Sequence, residues 1–185
     1  MKTTAIRAGV AIAMLAAPSL AFAQDRGNQP EITVGAQAGY HDLGVSDEVF
    51  DITGVEVDDA SPIFGGFIAA DFPLSDTLFA GVEGNANFGT DAINAEYGAA
   101  GRLGIRAGNG TKFYVRGGYQ WVDIDYAEIL DVPDAAIPGG LDSTFGDYLV
   151  GVGIDLPFGG VTLRGNVDTI AFDTVRATAG VGFRF

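Results

Sequence analysis

Between Ile32 and Phe185, apolar and polar residues alternate one by one in eight separate segments. A period of two is the pattern of a β-strand with one apolar and one polar face, and no helical stripe reproduces it. The first segment, Ile32–Tyr40, sets Ile32, Val34, Ala36, Ala38 and Tyr40 against Thr33, Gly35, Gln37 and Gly39. The following six are Ile63–Phe72, Thr77–Phe88, Ala95–Ala107, Thr111–Val122, Asp147–Leu156 and Val161–Ala171. The second is the least regular, because Ile63 and Phe67 fall on the polar side. The eighth runs to the last residue, with Val175, Ala177, Ala179, Val181, Phe183 and Phe185 opposite Arg176, Thr178, Gly180, Gly182 and Arg184. Pro73–Asp76, Gly108–Gly110 and Pro157–Gly160 supply tight turns. Longer links, 41–62, 89–94 and 123–146, alternate with them, and a short one, Phe172–Thr174, completes the set. The order is that of an all-β, up-and-down antiparallel meander of eight strands.

The first residues do not share the pattern. Lys2 and Arg7 precede an apolar run from Ala8 to Leu20, and Ala21-Phe22-Ala23 gives a small-x-small cleavage site. Residues 1–23 therefore read as a secretory signal peptide, 24–30 as a short N-terminal segment and 31–185 as the barrel domain. The 185 residues include no cysteine, so an exported chain of this kind must be held by a core, by sheet closure or by a membrane. A net charge of −14, made more negative by loss of the leader, excludes nucleic acid as a partner. With 48% hydrophobic and 18% charged residues, the chain is not a disordered acidic polymer.

Alternation does not say which face is inside. A soluble eight-stranded barrel turns its apolar face inward, and an outer-membrane barrel turns it outward. Two bands of aromatics favour the second. Tyr40, Phe64, Phe88, Tyr97, Trp121 and Tyr148 sit at the long-loop ends of the apolar faces, and Phe72, Phe113, Phe183 and Phe185 at the short-turn ends. Valine, isoleucine, leucine, alanine and glycine lie between. Two girdles around an aliphatic band match two membrane interfaces. The polar face is rich in glycine with sparse charges of both signs, as a narrow filled lumen requires. Most segments also reach the roughly 9–11 residues that a tilted strand needs to cross a bilayer. The fold expected is an eight-stranded transmembrane β-barrel, with both termini on the periplasmic side.

A leader, eight alternating segments, short turns on one side and the terminal Gly182-Phe183-Arg184-Phe185 together resemble the small outer-membrane β-barrels of Gram-negative bacteria, of the opacity-protein and OmpA/OmpX-like kind. The resemblance covers about residues 31–185. It implies an outer-membrane location, contact with outer-membrane lipid and lipopolysaccharide, and a β-signal at Val181, Phe183 and Phe185 read by the barrel assembly machinery. OmpA-like proteins often add a peptidoglycan-binding domain after the barrel; that function is not expected of a chain ending at Phe185.

Candidate functional residues lie on the polar face. Glu83, Arg102, Arg116, Arg164 and Asp168 are expected near mid-height, and Asp71, Arg106, Lys112, Asp155 and Arg184 near the short-turn end. Buried charges must be paired, so these are read as ion pairs that plug the lumen, with a gated ion path as the alternative. A lumenal network of this sort also resembles that of OmpA-like barrels. His41, the single histidine, is read as an ordinary residue beside a loop. It could approach Ser46 and Asp42 as a hydrolytic set, as in barrels that modify lipid A. No deacylase-like His-x-Ser-Asn pattern is present, so no enzyme and no cofactor are expected. The long links are acidic: Asp42, Asp47, Glu48, Asp51, Glu56, Asp58 and Asp59 in the first, and Asp123, Asp125, Glu128, Asp131, Asp134 and Asp142 in the third. Hard divalent cations prefer such oxygens, but no EF-hand spacing occurs and no defined metal site is expected. The expected role is a non-enzymatic structural or surface-interaction one, with an extracellular ligand that the sequence does not name.

Overall fold

The computed structural model describes residues 29–44, 60–90, 92–125 and 144–185. The leader, most of the segment 24–30, and most of the first and third long links, Ser46 included, lie outside the described residues.

Eight strands form: β1 (Glu31–Asp42), β2 (Ala60–Pro73), β3 (Leu78–Gly89), β4 (Ile93–Arg106), β5 (Lys112–Ile124), β6 (Thr144–Phe158), β7 (Val161–Ile170) and β8 (Thr174–Arg184). Each pairs antiparallel with its sequence neighbours, and β8 pairs with β1, giving a closed barrel. Closure seals the last edge. Ala38 lies opposite Ala179 and Val34 opposite Phe183 in the β1–β8 ladder. Beyond it Phe185 N–H donates to the Ile32 carbonyl at 2.8 Å and Ile32 N–H to the Phe185 carbonyl at 3.3 Å. The final residues are thus tied by backbone hydrogen bonds where a free terminus would fray.

The strands run further at the long-loop end than alternation alone suggested. There β5 reaches Ile124 and β6 begins at Thr144, because Asp123 and Thr144 still pair. A register shift between Ile93 and Ala95 bends the start of β4. At the opposite end the connections are tight. Gly159, at φ +62°, opens the two-residue turn between β6 and β7. The β7–β8 link is different in kind. Ala171 (φ 57°) and Phe172 (φ 67°) both adopt left-handed backbone without being glycine, closed by Asp173 N–H to the Ile170 carbonyl at 3.3 Å. Left-handed backbone at both positions twists in the sense of the flanking strands, at a steric cost to the two side chains.

β6 outruns β7. Its residues from Leu149 onward face β7, whereas Thr144–Tyr148 have no β7 partner. Local groups blunt that edge. The Tyr148 carbonyl accepts from Ala171 N–H at 2.9 Å. Tyr148 N–H donates to Asp147 Oδ1 at 2.6 Å. The Gly146 carbonyl accepts from the Tyr119 hydroxyl at 2.8 Å. Unpaired edges otherwise invite a further strand.

Burial is inverted relative to a soluble protein. The apolar face is the outer one: Tyr148 is 69% exposed, Val82 59%, Val152 57% and Phe183 60%. The buried residues are largely polar or charged, including Asp71, Glu83, Glu96, Arg102, Lys112, Arg116, Asp155, Arg164, Asp168 and Arg176. A continuous aliphatic belt of this extent is incompatible with water and fits hydrocarbon.

Candidate functional site: the lumenal ion-pair ladder

The inward side chains meet across the barrel because the strands tilt. Partners followed sideways from Gly35 in the middle of β1 pass through Phe67, Asn85, Gly98 and Gln120 to Asp147, near the long-loop end of β6. Residues far apart in register are therefore level in space. Lumenal glycines leave the room. At Gly153 a Cβ would run into the Tyr114 ring and Asn166, and at Gly151 into Asp168.

At the short-turn end Lys112 Nζ donates to Asp71 Oδ2 at 2.6 Å and also to Glu31. Arg106 and Arg184 reach the same Glu31 at 3.5 and 3.6 Å, both partly open to solvent. Above this, Glu83 is the hub. Its Oε1 accepts from Arg116 at 2.6 Å, and its Oε2 from Arg102 at 3.1 Å and Arg164 at 2.7 Å. Asp155, expected near the short turns, joins this central group. It takes both nitrogens of the Arg164 fork at 2.7 and 2.9 Å, Arg102 at 2.8 Å and the Tyr114 hydroxyl at 3.1 Å. The guanidinium of Arg102 stacks over Tyr114 at 3.9 Å, and that of Arg164 over Phe67 at 4.0 Å. Bidentate pairing combined with stacking suits arginine and would not suit lysine.

Asp168 links the hub to an upper cluster. Arg116 Nε lies 3.2 Å from one of its oxygens, and Arg176 holds the other at 3.0 Å. Arg176 also donates to Glu96 at 2.7 Å. Glu96 accepts in addition from Asn87 at 2.8 Å and pairs with His41 Nδ1 at 2.7 Å. An unbroken ladder thus runs from Glu31 to His41 through the whole lumen. Two contacts in it are loose. Arg102 Nε and Asp71 Oδ1 are 3.7 Å apart and Arg116 Nε and Asp168 Oδ1 3.2 Å, and none of these four atoms makes a hydrogen bond.

All ten charged residues singled out in the sequence face this lumen. Glu31, Glu96, Arg176 and Tyr114, which are not among those candidates, belong to the same ladder, and so does His41. His41 is not an ordinary residue beside a loop: it is the last inward position of β1, 1% exposed. Its partners are Glu96 and, through Nε2 at 3.2 Å, the Thr174 hydroxyl. That hydroxyl is equally close to the Ile170 carbonyl, at 3.2 Å. Glu96 and Arg176 already alternated correctly in the sequence. The missing signal was the register that brings β4 and β8 level with β1.

On the outer face, Tyr40, Phe64, Phe72, Phe88, Tyr97, Phe113, Trp121 and Tyr148 are all exposed. So are Val181, Phe183 and Phe185. Among the described residues no three histidine, cysteine, aspartate or glutamate side chains are grouped to hold a metal ion.

No protein-family profile matches the sequence, and no curated protein is detectably similar to it. Solved structures are similar in shape. Ail, the attachment invasion locus protein of Yersinia pestis, in complex with the heparin analogue sucrose octasulfate, superposes with a TM-score of 0.52 at 12% identity, covering 85% of this chain and 99% of that one. The N-terminal β-barrel domain of Pseudomonas aeruginosa OprF gives 0.52 at 14% identity, over 85% and 99%. Neisserial surface protein A gives 0.53 at 14%, over 84% and 95%. The chain therefore has the fold of the small eight-stranded outer-membrane β-barrels of the OmpA, OmpX and opacity type.

Proposed function

We propose that the chain is a non-enzymatic outer-membrane protein whose lumen is plugged by the ion-pair ladder and whose acidic long links face the exterior. The observation that carries this reading is the inverted burial: an aliphatic, aromatic-rimmed outer face around a buried ionic interior. Both termini then lie on the periplasmic side, and the closing strand, ending in Phe183 and Phe185, is the segment offered to the barrel assembly machinery. Contact with outer-leaflet lipid and lipopolysaccharide follows from the same placement. A structural or surface-interaction role fits the plug, because paired buried arginines are costly to separate. A hydrolytic role is disfavoured by the Thr174 hydroxyl, which is shared between His41 and a backbone carbonyl beside a fully buried imidazole.

Sulfated sugar, the ligand held by Ail, does not suit this chain. Every lysine and arginine from residue 29 to 185 is on the inward face, so the long links have no cation with which to meet sulfate.

The test is fractionation. The protein is expected in the outer-membrane fraction with gel mobility that changes on boiling; recovery in the soluble periplasmic fraction would sink the reading. A second reading, a small low-conductance pore, is favoured by the continuity of the ladder from end to end. Planar-bilayer recordings are expected to show no large stable openings, and such openings would replace the plug with the pore.

A further inference from the structure

Two of the cations are held differently from the rest. The side chains of Arg106 and Arg184 are each 32% exposed, whereas those of Arg102, Lys112, Arg116, Arg164 and Arg176 are at most 2% exposed. No other lysine or arginine occurs between 29 and 185. Among the described residues, an anion arriving from water therefore meets only this pair. Neither guanidinium is satisfied. Arg106 on β4 and Arg184 on β8 converge on one oxygen, Glu31 Oε2, at 3.5 and 3.6 Å, and neither makes a hydrogen bond to it. The other oxygen of Glu31 is taken by Lys112, which also holds Asp71 at 2.6 Å. Charge does not close either. Three cations, Arg106, Lys112 and Arg184, face two carboxylates, Glu31 and Asp71. Asp76 in the β2–β3 turn and the terminal Phe185 are exposed at this end, and neither pairs with any of the three. A chain of net charge −14 thus has a positive excess inside the mouth at its short-turn end.

The mouth is a cup with a floor and a wall. The floor is the buried Lys112–Asp71 pair, with Lys112 Nζ 5.2 Å from the centroid of the buried Phe79 ring. The wall separates the cup from lipid. Phe72, Phe113 and Phe183 are exposed on its outer face, while the two arginines stand on the inner one. A phosphate headgroup in the leaflet lies on the far side of that wall. Two planar forks suit a planar carboxylate. A single excess charge suits a monoanion, and a dianionic phosphate would crowd Glu31 with like charge. An eight-stranded lumen has room for little beyond its own side chains, so the occupant is a chain end and not a folded surface.

We propose that the short-turn mouth binds the free terminal carboxylate of an extended peptide, held between Arg106 and Arg184 beside Glu31. The proposal rests on the periplasmic placement of this end given above, which makes the partner a periplasmic polypeptide. It gives the barrel a contact on the side opposite its acidic long links.

The test is fluorescence anisotropy. The barrel, folded in uncharged detergent, is titrated into a tripeptide, Gly-Ala-Ala, carrying a dye on its amino end and a free carboxylate, and in parallel into the C-terminal amide of the same peptide. Saturable binding is expected for the acid and none for the amide, and added salt should weaken it. Arg106→Gln and Arg184→Gln should each raise Kd roughly ten-fold. Both should keep wild-type gel mobility before and after boiling, because neither arginine is hydrogen-bonded into the ladder. Equal binding of acid and amide by the wild type, binding of neither, or affinity indifferent to both substitutions overturns the proposal. So does displacement of the peptide by inorganic phosphate at lower concentration than by acetate. The placement is tested separately with Gly108→Cys, in the β4–β5 turn, where a Cβ meets nothing within 4 Å. The chain has no other cysteine. An impermeant maleimide should label it only after the outer membrane is opened. Labelling in intact cells removes the periplasmic placement, whereas a protected Gly108→Cys barrel that ignores the peptide removes the binding site.

Discussion

The guanidinium carbon of Arg164 lies 4.0 Å from the ring centroid of Phe67, across the lumen from β7 to β2. Phe67 is 4% exposed and spoils the alternation of β2. It is apolar on the polar side because a flat ring is what a doubly paired guanidinium accepts on its open face. Replacing Phe67 by alanine removes the stacking surface and leaves a void beside a buried charge. We expect a loss of about 3 kcal/mol, read as a shift in the urea midpoint of the barrel folded in detergent or liposomes. A midpoint unchanged within error would show that the stack does not support the plug.

Glu83 is the single acceptor shared by Arg102, Arg116 and Arg164. Glu83→Ala leaves three buried cations with one partner fewer each. The expected cost is about 3 to 5 kcal/mol, because an uncompensated buried charge is worse than none. The same variant should be the one most prone to conduct, and bilayer recordings of wild type beside Glu83→Ala measure this. Equal stability of the two would mean that the hub carries little of the lumen's cohesion.

Glycine serves opposite purposes on the two faces. Gly153→Ala should lower the temperature at which gel mobility changes, since the new methyl meets the Tyr114 ring inside the lumen. Gly117→Ala should leave it unchanged, since its outward side has no atom nearer than 3.7 Å. Equal effects from both would argue that the inward glycines are not clearance for the ladder.

The Ala171–Phe172 turn should respond in the other direction. Ala171→Asn with Phe172→Gly places residues suited to left-handed backbone at both positions, and a gain of about 1 kcal/mol is expected. Unfolding titrations of the double variant measure it. A loss would indicate that the exposed Phe172 ring contributes packing that outweighs the strain.

Deleting Phe185 should impair assembly more than it impairs barrels already inserted. The residue is more than half exposed, and its backbone makes two hydrogen bonds to Ile32. Outer-membrane yield and the unfolding midpoint of refolded protein separate the two effects. Normal yield from the deletion would count against an address at the terminus.

Most of the barrel was legible because alternation is local. From Ile32 to Phe185 each strand declares its faces residue by residue, and the girdles then choose which face is out. The ladder was less legible because pairing is not local. Glu96 and Arg176 lie 80 positions apart and His41 and Glu96 55, and only the register of β4, β8 and the closing β1–β8 ladder brings them together. Phe67 is a misfit to the pattern for the same reason: its partner, Arg164, is on a strand that the local sequence does not mention. Ser46 and most of the acidic link residues lie outside the described residues, so the structure adds nothing to them.

The distribution of charge among the hairpins bears on how such a barrel can be built. The β1–β2 hairpin brings Glu31 and Asp71 but no lysine or arginine, whereas β7–β8 brings Arg164, Arg176 and Arg184 with only Asp168. Lys112, on β5, is the cation that satisfies both Glu31 and Asp71. The first hairpin therefore cannot enter hydrocarbon as a neutral unit, and neither can the last. Their interiors balance only when the sheet has curled far enough for β1, β2 and β5 to face one another. Such a chain has no stable half-inserted form: it should cross into the bilayer late and all together, with the ring of strands already closing as it goes.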